Sequence, residues 1–86
     1  MRIIWAEKGC DEFESWFNDP KMLRRVCLLL KDIRRSPYSG IGRPEELKYE
    51  MSGLWSREID GKNRIVYKVE EDSVVIFRCR GHYNDK

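Results

Sequence analysis

Apolar positions recur along this chain in two rhythms, one belonging to strands and one to helices. Val74 to Phe77 is β-branched or aromatic throughout, which predicts a strand covered on both faces and central in a small sheet. That strand is expected to run from Ser73 to Arg80 and to deliver Gly81, His82 and Tyr83 to the surface. Arg2 to Trp5 reads as a short first strand. Leu54 to Ile59 and Arg64 to Val69 read as two more, joined by Asp60-Gly61, a strong hairpin signal. Glu70-Glu71-Asp72 turns the chain into the last strand.

Between the first strand and the others the spacing becomes helical. Cys10, Phe13, Trp16 and Phe17 share one side of a helix that carries Asp11, Glu12 and Glu14 on the other and stops near Asn18. Asp19-Pro20 supplies a cap and the proline favoured at the first helical position, so a second helix starts there. Its expected core face is Leu23, Val26, Cys27, Leu30 and Ile33; Arg34-Arg35 suit the dipole of the last turn, and Ser36-Pro37 ends it. Residues 36–44, with two prolines and two glycines, form a loop. Glu45-Glu46-Leu47-Lys48 is expected to make one helical turn behind Pro44. The order β-α-α-β-β-β predicts an α+β fold, two N-terminal helices packed on a small, mostly antiparallel sheet, in a single domain spanning residues 1–86.

Size and charge narrow the function. A chain of 86 residues buries about 60–65% of its unfolded surface. No apolar run approaches the roughly 20 residues that cross a bilayer, and Met1 to Trp5 leads directly into charge, so a cytoplasmic protein without membrane contact is expected. Cys10, Cys27 and Cys79 are odd in number and lie in apolar patterns, which fits buried reduced thiols rather than disulfides or metal ligands. The net charge of +2 is unevenly spread: acids dominate Glu7 to Glu14, bases dominate Lys21 to Arg35, Arg43 to Lys48 and Arg78 to Arg80. Such a surface suits a polyanion or an acidic protein, and charge alone does not separate the two.

Three residues match the demands of RNA cleavage without a cofactor or metal: Glu45 after the glycine-proline loop, Arg64 opening a strand, and His82, the single histidine. A glutamate can take a ribose 2′-OH proton, an arginine fork can bind two phosphoryl oxygens, and an imidazole can protonate the departing 5′-oxygen near neutral pH. Structural roles compete with each. Glu45 also suits a helix N-terminus, and Arg64 also suits an exposed pair with Glu58 or Asp60. Lys21, Arg24, Arg25, Lys31 and Arg35 occupy the expected outer face of the second helix, where they are either solvated or in contact with phosphates. Trp55 and Tyr67 read as core, and Tyr83 as a base-stacking platform or auxiliary proton donor.

Taken together, Ile4-Trp5, Arg35-Ser36-Pro37-Tyr38, Gly40-Ile41-Gly42-Arg43-Pro44-Glu45, Leu47-Lys48, Leu54-Trp55-Ser56-Arg57, Arg64-Ile65-Val66-Tyr67 and Cys79-Arg80-Gly81-His82-Tyr83 resemble, in order and spacing, the YoeB toxins of bacterial type II toxin–antitoxin systems. The resemblance covers nearly the whole chain. It implies a RelE-like fold on a curved sheet, ribosome-dependent mRNA cleavage in the A site, and an acidic antitoxin of the YefM type. It implies Glu45 as general base, Arg64 as phosphate-stabilising group and His82 as general acid, with Lys48, Arg57 and Tyr83 in support. The basic helix from Lys21 to Arg35 would hold ribosomal RNA, and homodimerisation is open to a small domain with exposed aromatics. Glu58 stands where the family commonly has a second arginine, Lys62-Asn63 where an acid and a histidine are usual, and Gly81 where an aromatic is usual. Two other classes remain: a gyrase-inhibiting toxin of the related ParE type, and a catalytically inert relative that binds antitoxin or RNA.

Overall fold

A computed structural model describes residues 1–82. The elements are β1 (Arg2–Trp5), α1 (Glu7–Glu14), α2 (Pro20–Arg35), β2 (Glu45–Glu46), β3 (Trp55–Glu58), β4 (Arg64–Val69) and β5 (Ser73–Arg78), with a short 3-10 turn at Tyr49–Met51. They form one five-stranded sheet in the order β1-β5-β4-β3-β2, in which β1 runs parallel to β5 and every other pair is antiparallel. The last strand is thus interior, but β4 is the middle one.

Helix α2 forms where its signals predicted. The Asp19 carboxylate accepts from Met22 N at 3.3 Å, Pro20 occupies the first turn, and Arg34 and Arg35 close the last. Val26, Leu29, Leu30 and Ile33 are buried against the sheet, with Leu23 and Cys27 half-buried. Two members of this face were not expected: Leu29 and the charged Asp32. Helix α1 lies tight on β5 because Gly9 presents no side chain; a Cβ there would collide with the Ile76 carbonyl. Trp16 is buried beyond its end, whereas Phe17, expected on the same stripe, is 58% exposed.

Register decides which face each strand residue takes, because neighbours along a strand point to opposite sides. Trp55 pairs with Tyr67, Arg57 with Ile65 and Tyr67 with Ile76, and these residues face the helices. Glu45 pairs with Ser56, Ser56 with Val66 and Glu58 with Arg64, so these residues share the opposite face, which carries no helix.

Two local expectations are corrected. Residues 45–48 make no helical turn: Glu45–Glu46 is a strand paired with β3, and Leu47 N continues the pairing to Leu54 O at 2.9 Å. Leu47 is buried, so an apolar anchor and an available edge override the helical tendency of the sequence. The β3–β4 connection is five residues, 59–63, rather than a tight two-residue turn. The Asp60 carboxylate shapes it by accepting from Lys62 N and Asn63 N, both at 2.8 Å.

Candidate active site

The helix-free face assembles two of the three expected residues. Glu45 and Arg64 point the same way across β3, separated by two strand spacings, about 10 Å, and by one rung along the sheet. Glu45 is therefore the first residue of a strand, not of a helix. Between them lies Ser56, whose Oγ is buried and is the one such side-chain atom without a hydrogen-bond partner among the described residues.

The third residue arrives beside Arg64. Arg64 N donates to Gly81 O at 3.0 Å, and Gly81 N donates to Asn63 Oδ1 at 2.8 Å. Gly81 takes φ of +83°, which favours glycine. His82, exposed, follows directly. Tyr83 lies outside the described residues.

Arg57 is a correction to the expected supporting set. It sits one residue from Ser56, on the helix side of the sheet, and is 0% exposed. All five of its N–H donors are used: Nε on Tyr67 Oη, Nη1 on Asp32 Oδ2 (2.6 Å) and Ile41 O, Nη2 on Ser36 O and Ser39 O. It has none left for a phosphate. The guanidinium is instead the peg around which the glycine-proline loop is wound. Asp32 Oδ2 accepts from Ile41 N at 3.0 Å, and Tyr67 Oη donates to Pro37 O at 2.7 Å. A Cβ on Gly40, whose φ is +126°, would strike the Asp32 carboxylate. The hydrogen bond from Arg57 is the main reason the Asp32 carboxyl lies below the usual aspartate range, with the Ile41 amide assisting against burial.

The expected RNA-facing cations divide. Arg24, Lys31 and Lys48 are exposed, and Arg35 is exposed while donating to Asp32 Oδ1 at 2.7 Å. Arg25 departs from the outer face: it is half-buried, and its Nε and Nη2 donate to Ile59 O and Glu58 O, both at 3.2 Å. It ties α2 to the β3–β4 connection. Cys79 is buried as expected, and burial pushes its thiol up to about 12.

Sequence reasoning missed Asp32, Glu12 and Asn63. Glu12 lies on the side of the first helix opposite its apolar stripe, yet its carboxylate is forked by Arg78 and accepts two backbone amides after β5. Its place on α1 facing the end of β5 is a tertiary fact that helical spacing does not encode.

This fold occurs in known proteins. The family of YoeB-like toxins of bacterial type II toxin–antitoxin systems matches residues 5–83. The chain is 43% identical over 84 residues to Toxin YoeB of Escherichia coli strain K12, covering 96% of this chain and all of that one. Among solved structures, a YoeB/ParE toxin from Agrobacterium tumefaciens superposes with a TM-score of 0.92 at 35% identity, over 96% of this chain and 100% of that one. A heterotetrameric YoeB–YefM complex and a YoeB dimer, both from Staphylococcus aureus, each give 0.87 at 34% identity, over 96% of this chain and 98% of theirs. A helix pair on this five-stranded sheet, joined to a sequence match along nearly its whole length, makes the chain a member of the YoeB family of type II toxins.

Proposed function

We propose that this toxin is an endoribonuclease that cleaves mRNA in the A site of translating ribosomes by general acid–base catalysis, without a metal, and so inhibits translation. Glu45 removes the 2′-OH proton, and the 2′-oxygen attacks phosphorus in line. Arg64 neutralises the charge that builds on the phosphoryl oxygens, and His82 protonates the 5′-oxygen as the P–O bond breaks. The products are a 2′,3′-cyclic phosphate, which water can open, and a 5′-hydroxyl. The three side chains fill every role the displacement requires.

The observation that supports this most is register. Glu45 and Arg64 share one face, and the residue before His82 is hydrogen-bonded to Arg64's own amide. Long side chains on such a frame can close around one phosphodiester. Lys48 and Tyr83 are assigned supporting contacts with RNA, and the exposed cations of α2, Arg24, Lys31 and Arg35, are assigned ribosomal RNA. The partner that silences the toxin is assigned as an acidic antitoxin of the YefM type. The Staphylococcus aureus complex supports that assignment, and the dimer from the same organism supports self-association. The working compartment is assigned as the cytoplasm.

The test is mRNA cleavage in a translation extract by the parent, Glu45→Gln and His82→Ala. Each variant is expected to lose at least about 100-fold in rate. Undiminished cleavage by both removes the mechanism.

A further inference from the structure

The ladder of β5 ends at Arg78, yet the next three residues are held as firmly as a strand. Cys79 N and Arg80 N donate to Glu12 Oε1 at 2.8 and 3.1 Å, and Cys79 O accepts from Trp16 Nε1 at 2.8 Å. Arg80 O accepts from Arg78 Nη2 at 3.3 Å. Gly81 N donates to Asn63 Oδ1, and Gly81 O accepts from Arg64 N. Every backbone polar group of residues 79–81 thus has a partner, and all but one of those partners are side chains. Segments leaving a sheet ordinarily turn these groups to water. Here side chains from α1 and the segment after it, the β3–β4 connection and the end of β5 take water's place.

The holders are themselves oriented. Arg78 Nε and Nη2 fork the Glu12 carboxylate at 3.0 to 3.1 Å. The Asn63 side chain donates from Nδ2 to Asp60 Oδ1 at 3.0 Å, which turns its Oδ1 toward Gly81. Arg80 lies over the Trp16 ring at 3.9 Å and donates to Ser15 Oγ at 2.8 Å. Burial does not require the outer part of this arrangement: Cys79 is in the core, but Arg80 and His82 are exposed. What the Asn63 bond determines is where the chain points one residue later.

We infer that Asn63, with Glu12 behind it, is a positioning residue for His82, fixing the backbone that delivers the imidazole beside Arg64. The inference rests on the nuclease reading above. A proton donor must come within hydrogen-bond reach of the leaving oxygen, and a displacement of about 1 Å costs on the order of 100-fold in rate.

The experiment is cleavage of mRNA on programmed ribosomes by the full chain, comparing the parent, Asn63→Ala, His82→Ala and the double variant, with thermal melting as the measure of folding. Asn63→Ala is expected to lose about 10- to 100-fold in kcat with KM within about twofold. Because Asn63 acts through His82, the double variant is expected to cleave no more slowly than His82→Ala alone. Should Asn63→Ala fail to fold, Glu12→Gln carries the same test, since it keeps an oxygen for the two amides and loses the fork with Arg78. Parent-like turnover of Asn63→Ala beside an impaired His82→Ala overturns the positioning role and leaves the nuclease reading standing. A loss repeated in full in the His82→Ala background also overturns it, since the effect then runs through the fold. Undiminished cleavage by His82→Ala removes the general-acid role on which the positioning role rests, and absence of cleavage by the parent overturns the nuclease reading itself.

Discussion

Asp32 and Arg57 meet at 2.6 Å across the interface between α2 and β3, the arginine wholly buried and the aspartate 7% exposed. The pair organises the loop that leads into Glu45, because the same guanidinium and carboxylate also hold Ser36 O, Ser39 O and both backbone groups of Ile41. Removing one partner strands a buried charge. Arg57→Ala and Asp32→Ala are each expected to destabilise the fold by about 3–5 kcal/mol, readable in urea unfolding, or as roughly 4–8 °C of Tm per kcal/mol. A loss below about 1 kcal/mol in both would contradict the burial described here.

Stability should fall in acid for a reason that can be located. In Asp32 the Arg57 hydrogen bond lowers the carboxyl. In Glu12 burial pushes upward, but the Arg78 fork and the amides of Cys79 and Arg80 outweigh it. In Asp60 the Lys62 amide lowers it. A carboxyl whose folded pKa is depressed adds stability that is complete above its unfolded pKa, about 4, and vanishes as pH falls through the folded value. The urea midpoint is expected to be flat from pH 7 to about 5 and to decline below about 4.5. Asp32→Asn should flatten that decline; an equally steep one would assign the acid sensitivity elsewhere.

Ser56 makes the opposite case. Its hydroxyl is buried without a partner among the described residues, and such a group costs about 1–3 kcal/mol of desolvation. Ser56→Ala is therefore expected to leave the unfolding free energy unchanged or to raise it by up to about 1 kcal/mol. Destabilisation beyond that would mean the hydroxyl is bonded after all.

The basic face of α2 can be tested apart from the chemistry. Arg24 and Lys31 are exposed, so Arg24→Gln and Lys31→Gln should weaken ribosome binding without changing single-turnover cleavage at saturation. Each should reduce the slope of log affinity against log salt by about 0.7 to 0.9 if it neutralises one phosphate. Arg25→Gln should instead lower stability, since its guanidinium holds the Glu58 and Ile59 carbonyls. An unchanged slope in both exposed variants would move the RNA contact to another surface.

How much of this was legible depended on whether the determinant was local. The α2 boundaries follow from Asp19-Pro20 and Arg34-Arg35, and β4 begins and ends as its alternation and β-branched content imply. Strand β2 was missed because two residues carry no period and only the edge of β3 decides their state. The error at Arg57 is one of parity. A motif reports a residue type at a position, but a one-residue step along β3 separates the helix side from the Glu45 side, and only register shows which is which. Asn63 entered as a departure from the family pattern and emerged as the acceptor for Gly81 N, a role fixed by the folding of the hairpin against the chain end.

The most direct measurement uses an mRNA carrying a single 2′-deoxy nucleotide on the 5′ side of the scissile bond, presented on programmed ribosomes. The account requires the 2′-oxygen to be the nucleophile, so cleavage at that bond should fall by at least about 1,000-fold, while the all-ribose control yields a 2′,3′-cyclic phosphate and a 5′-hydroxyl. Cleavage of the deoxy substrate at the control rate would mean that the 2′-oxygen does not attack and that Glu45, Arg64 and His82 do not perform the chemistry assigned to them.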